Sequence, residues 1–160
     1  ISASMSGNEW LSVATSGIVG LPKQSACKAW MDNGGSDYAV SANTLTKVPL
    51  DTVAFDRQSE FDTTNHRFTV TEDGVYLVLG AVTGAAVADG NWMFAKIEKN
   101  GASQAYFYTH SRGAGYLTAL VAALLELVAG DYVELYTRST DDFSIVHGPD
   151  QTYLLITKVA

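Results

Sequence analysis

Residues that could do chemistry are few in this chain and thinly spread. The three histidines, His66, His110 and His147, are separated by stretches long enough to hold whole strands. His110-Ser111 with Asp141 or Asp142 can be drawn as a nucleophilic set, but histidines in hairpin loops are the plainer reading. No Gly-x-Ser-x-Gly elbow, phosphate-cradling glycine loop, Gly-x-Gly-x-x-Gly after a strand or His-Glu-x-x-His is present, so the expectation is a non-enzyme. The adjacent acids Asp141 and Asp142 could hold calcium through carboxylates and loop carbonyls, although no calcium-loop spacing accompanies them and solvated loop charge explains them as well. No other cofactor is expected. Cys27 is the single cysteine, which excludes an intramolecular disulfide and a cysteine-rich zinc site and leaves a small apolar core residue.

Aromatics offer a different chemistry. Tyr106-Phe107-Tyr108-Thr109-His110 puts tyrosines on one face of an extended segment, just before the glycine-rich stretch 111–115. Sugars are gripped by aromatic rings together with amide, carboxylate and guanidinium groups. Asn91, Trp92, Tyr106, Tyr108, His110, Arg112 and Asp142 are therefore the candidate ligand-binding residues. Ordinary cross-strand packing of aromatics is the competing explanation.

The elements that must position these residues read as strands. Asn33-Gly34-Gly35, Asp73-Gly74, Asp89-Gly90, Asn100-Gly101, Gly130-Asp131 and Gly148-Pro149-Asp150 punctuate short segments rich in Val, Tyr, Phe, Thr and Leu, as in antiparallel sheets joined by hairpins. In 132–138, Val133, Leu135 and Thr137 share one face while Tyr132, Glu134, Tyr136 and Arg138 share the other. Asn100-Gly101 is the clearest two-residue hairpin signal. Helix propensity favours a helix over 117–127, but neighbouring strands and the Gly130-Asp131 turn predict a strand instead. Segments 74–83, 117–127 and 153–156 are apolar on both faces. One such face can fill a sandwich, and the second calls for a covering partner, most simply another copy of the chain. Residues 1–25, small and polar, read as an arm or linker anchored by Trp10-Leu11 and Ile18-Val19.

Bulk properties narrow the partners. The chain has 160 residues, of which 47% are hydrophobic and only 17% charged, enough for one domain with a single core. Ten basic against seventeen acidic residues give a formal net charge of −7, and no Lys/Arg cluster offers a footprint for nucleic acid. The longest apolar run, 117–128, is broken by Thr118 and Glu126 and is shorter than the roughly 20 residues of a spanning helix, so membrane insertion is not expected. Residues 1–10 carry no basic region followed by an apolar core, so no targeting peptide is read there.

Ordered blocks then suggest a family. The run Phe61-Asp62-Thr63-Thr64-Asn65-His66-Arg67-Phe68-Thr69, continuing to Gly74-Val75-Tyr76 and an apolar strand, resembles the complement C1q-like globular domain of the tumour-necrosis-factor-like jelly rolls. Lys96-Ile97-Glu98-Lys99-Asn100-Gly101, Leu125-Glu126-Leu127 with Gly130-Asp131-Tyr132-Val133, and the closing Tyr153-Leu154-Leu155-Ile156 follow in the family's order. An entry strand at Ala26-Cys27-Lys28-Ala29-Trp30, followed by Thr46-Lys47-Val48 and Val53-Ala54-Phe55-Asp56, is similar to versions in bacteriophage virion proteins. The collagen-like Gly-x-y stalk of complement members is absent from this sequence.

This resemblance implies an all-β, two-sheet antiparallel jelly-roll sandwich of about ten strands over 26–160, assembling as a homotrimer. Tyr76, Val78, Tyr132, Tyr136, Leu154 and Ile156 are the expected trimer-interface residues. The functional expectation is a virion-surface knob, a head fibre, spike or tail-fibre tip, that meets a host cell-surface glycan or protein. Residues 1–25 would then join a capsid or fibre protein. A capsid decoration protein and a secreted carbohydrate-binding lectin are the alternatives.

Overall fold

The computed structural model describes residues 2–5, 8–13, 19–20, 23–113 and 115–160. Within residues 1–25, strands β1 (Ser2–Met5), β2 (Asn8–Val13) and β3 (Val19–Gly20) pair with one another as a small sheet. The side chains of Trp10, Leu11, Ile18 and Val19, expected as anchors, lie outside the described residues.

Thereafter the chain runs through β4 (Ala26–Trp30), β5 (Tyr38–Val40), β6 (Thr46–Lys47), β7 (Thr52–Asp56), β8 (Phe61–Asp62), β9 (Arg67–Thr69) and β10 (Gly74–Ala85). It continues through β11 (Trp92–Lys99), β12 (Ala102–His110), β13 (Tyr116–Leu127), β14 (Tyr132–Ser139), β15 (Phe143–Ile145) and β16 (Tyr153–Lys158). These form two antiparallel sheets, a jelly-roll sandwich as expected, with several two- and three-residue strands raising the count above ten.

In the first sheet β10 is central. Along one edge it pairs with β13 over twelve residues, and along the other with β16 and then β15. Beyond β16 lie β4 and then β7. In the second sheet β11 stands between β12 and β14, and the far edge of β14 is shared by β9 and β6. The helix-prone segment 117–127 is extended, as predicted, because β10 supplies a continuous antiparallel partner whose pairing outweighs intrinsic propensity. Asn100 and Gly101, at φ 51° and 76°, make the expected hairpin turn, in which both central residues need positive φ.

The core lies between the sheets. Tyr76 and Val78 of β10, Val121 and Leu125 of β13, and Leu154 and Ile156 of β16 meet Met93, Ile97, Val133 and Leu135 of the second sheet. Close approach here is set by Gly80, where an added Cβ would stand 2.6 Å from Leu135 Cδ1 and 3.1 Å from Val121 Cγ1. Cys27 is buried, and burial, helped by Asp56 and Glu60, pushes its thiol up to about 12, which leaves it protonated and unreactive.

This inward parity corrects four of the six expected subunit-interface residues. Tyr76, Val78, Leu154 and Ile156 are all at most 1% exposed within the single chain, and the Tyr76 hydroxyl donates to the Glu72 carbonyl at 2.7 Å. They cannot reach a neighbour without opening the sandwich. Tyr132 and Tyr136 do face outward, but from the second sheet, where the Arg67 guanidinium lies 4.8 Å from the Tyr132 ring centroid and the Tyr136 hydroxyl donates to Glu134. Since both faces of β10 and β16 are apolar, hydrophobicity alone could not tell the inward set from the outward one.

Candidate functional site

Two outer surfaces remain once the core is assigned, and they differ in kind. On the first sheet the outward set is Leu77 and Leu79 of β10, Leu120, Ala122 and Leu124 of β13, and Tyr153 and Leu155 of β16, by their register and alternation. Leu120 and Leu124 are 59% and 66% exposed. Outward residues of β4 and β7 extend this face with Lys28, Trp30 and Phe55, and the Lys28 ammonium lies 4.9 Å from the Tyr153 ring centroid. The face is thus a nearly uncharged aliphatic and aromatic sheet surface, of a sort that soluble chains usually cover.

The outer face of the second sheet carries both rings and charge. Antiparallel register sets Trp92 opposite His110, Phe94 opposite Tyr108 and Lys96 opposite Tyr106, so these side chains share one side. Tyr108 is the hub. Its ring stands nearly perpendicular to Trp92 at 4.9 Å, to Phe94 at 5.3 Å and to Tyr106 at 5.2 Å. Edge-to-face contacts of this sort fix ring orientation beyond what burial alone does. Phe94 is buried beneath the two exposed tyrosines, and Trp92 stacks on it with a 16° interplanar angle.

On β14, Arg138 is opposite Phe94 and sets its guanidinium carbon 5.8 Å from the Trp92 ring centroid, while its Nη2 donates to Asn43 Oδ1 at 3.1 Å. Leu45, Phe94, Lys96, Ser103, Tyr106, Tyr108 and Arg138 together line a cleft of about 300 Å³. Farther along the same face, Lys96 pairs with Glu98, and Lys47 pairs with Glu134 at 2.7 Å. Burial first, and the Glu134 charge second, push the Tyr136 phenol up to about 12.

The structure thus brings Trp92, Tyr106 and Tyr108 into one cluster with His110 on the same side, and separates them from the other candidates. Asn91 holds a turn: its Oδ1 accepts from the Thr140 hydroxyl at 3.0 Å and its amide reaches Asp141. Asp142 accepts the Ala42 N–H at 2.7 Å and so ties two loops. Asp141 accepts the Ala88 N–H at 2.9 Å and caps its own neighbour's N–H. Both acids thus hold backbone, and among the described residues no group of three or more His, Cys, Asp or Glu is arranged to hold a metal. Arg112 is exposed in the loop after β12. Ser111 is buried, with its hydroxyl on the carbonyls of Val87 and Gly113, so it does not form a set with His110. Phe94, Leu45 and Arg138 were missed in the sequence. The alternation of 132–138 sets Arg138 on one face with Tyr132, Glu134 and Tyr136, but its position beside Trp92 depends on the β11–β14 register.

Comparison with known proteins agrees with this architecture. The family model described as the C1q domain matches residues 35–155. Among solved structures, an Eiger TNF from S. frugiperda is similar at a TM-score of 0.67 and 19% identity, over 86% of this chain and 94% of that one. Murine APRIL at pH 5.0 superposes with a TM-score of 0.65 at 16% identity, covering 86% of this chain and 100% of that one. The globular domain of zebrafish complement 1qA gives 0.62 at 13% identity, over 86% and 98% of the respective chains. No curated protein matches the sequence.

Proposed function

Because this chain belongs to the C1q domain family, we propose that it is a non-enzymatic recognition head that works as a homotrimer, displayed on a virion surface to attach to host cells. The observation that carries the reading is the nearly uncharged outer face of the first sheet, with Leu120 and Leu124 standing in solvent beside Leu77, Leu79 and Leu155. Only burial against an equally apolar surface relieves such a face, and a second copy of the chain always offers one. The ring-and-charge face lies on the opposite side of the sandwich and stays open when the first face is covered. Each trimer then presents three copies of that face, and multivalence raises a weak contact into useful avidity. The resemblance of the blocks in 26–56 to versions in phage virion proteins supports the virion setting.

Labelling of host cells with the fluorescent 160-residue chain tests this reading. Intact protein should stain the cells, and a Leu120→Asp/Leu124→Asp variant, unable to assemble, should stain them at least about tenfold more weakly. Unstained cells together with stabilisation of purified capsids by residues 1–25 would replace attachment with capsid decoration.

A further inference from the structure

We infer that the cleft on the outer face of β12, β11 and β14 binds a carboxylated sugar, with Arg138 taking the carboxylate and Tyr106 and Tyr108 taking the sugar's C–H face. The inference rests on the recognition reading above and names its ligand class. At about 300 Å³ the cleft is at the small end of the range of about 300–1,000 Å³ typical of ligand sites, a fit for one or two sugar rings.

Three features point to this occupant. The first is a rigid aromatic wall. Tyr106 and Tyr108 are 59% and 43% exposed, yet Tyr108 is fixed edge-on by Trp92, Phe94 and Tyr106. Exposed rings held in this way give a sugar's apolar face a surface that loses little freedom on binding. The second is polarity at the rim: the Ser103 side chain and the two phenols supply neutral hydrogen-bonding groups beside the rings.

The third is charge, and it decides between a neutral and an acidic sugar. Lys96 is paired with Glu98 and so contributes little net field. Arg138 is in no ion pair among the described residues. Its Nε is buried and has no hydrogen-bond partner. Here one guanidinium, steadied by the Trp92 ring and by Asn43, stands uncompensated at the wall of an aromatic cleft in a chain of net charge −7. A planar carboxylate is the anion a guanidinium matches best, through two parallel N–H···O bonds. Phosphate would use the same cation but gives the tyrosine rings nothing to stack on.

A pair of probes with the same rings and different charge makes the test: di-galacturonate and its methyl ester, titrated into the full chain while the NMR signals of Trp92, Tyr106 and Tyr108 are followed. The acid should bind about tenfold or more tighter than the ester, the scale of one hydrogen-bonded ion pair. Arg138→Gln should bring the two probes to equal affinity, Arg138→Lys should restore part of the gap, and Tyr108→Ala should weaken both. Equal affinity of acid and ester for the parent protein overturns the inference. So does a titration that moves signals at Asn91 and Asp142 in place of the cleft, or that moves none at tens of millimolar probe. Host cells stained as well by Arg138→Gln as by the parent would sink the cleft while leaving attachment standing, whereas cells stained by neither would sink attachment itself.

Discussion

The two outer faces of this sandwich are built on the same scaffold and differ in what they leave unsatisfied. The β13–β10–β16 face is aliphatic, and its deficit is area: Leu120 and Leu124 are exposed with Leu77, Leu79 and Leu155 around them. The β12–β11–β14 face buries its aliphatics inward and sets Trp92, Tyr106, Tyr108 and Arg138 outward with two ion pairs, so its deficit is specific and directional. A deficit of area is met by any matching apolar surface, which suits self-assembly. A deficit of direction is met by one kind of ligand, which suits recognition. The contrast also assigns different consequences to leucines that look alike in sequence.

Leu154 and Leu124 break the comparison most sharply. Leu154 is buried in the core and Leu124 is 66% exposed. Leu154→Asp should unfold the chain, costing about 4 kcal/mol or more because a charge is placed without partners between the sheets. Leu124→Asp should leave a folded sandwich, with far-ultraviolet circular dichroism unchanged. Equal loss of structure in both would mean that β13 faces inward at both parities.

A smaller effect sharpens the electrostatic side. Asp131, at the turn between β13 and β14, accepts from the Lys99 ammonium, the Val128 N–H and the Asn100 amide, and these bonds, Lys99 foremost, hold its carboxyl at about 2. This lies below the roughly 3.9 of an unfolded aspartate, so the contribution to stability is complete above that pH and is lost as pH falls toward 2. Asp131→Asn should flatten the acid limb of the stability curve between about pH 4 and pH 2 relative to the parent, as read by thermal melts. An unchanged limb would assign acid sensitivity to other carboxylates. Smallest of all, Asn91→Ala should cost about 1 kcal/mol through its lost turn bonds to Thr140 and Asp141 while the cleft's affinity stays constant. A fall in ligand affinity would return Asn91 to the site.

Much of the fold was legible because local signals agreed. Asn100-Gly101 can close its hairpin only at positive φ, and the alternation of 132–138 matches a strand with Val133, Leu135 and Thr137 buried. Parity on β10 and β16 was not legible, since Tyr76 and Leu77, or Leu154 and Leu155, are equally apolar and a one-residue choice reverses every side chain. The signal that settles it is the inward Gly80, which leaves room for Leu135, and this is recognisable only after the sheets are stacked. The aromatic cluster was half legible for the same reason. Tyr106 and Tyr108 alternate within one strand, but Phe94 and Arg138 join them through register between strands, which no single segment encodes.

Coverage of the first face by other copies of the chain is tested most directly by the solution mass. Analytical ultracentrifugation of the full chain at micromolar concentration should give about three times the 17.1 kDa chain mass. Leu120→Asp/Leu124→Asp should sediment as a folded species of 17.1 kDa. A parent protein that sediments as a stable monomer, or a double variant that keeps the parent's mass, would contradict the assignment of this face to self-assembly.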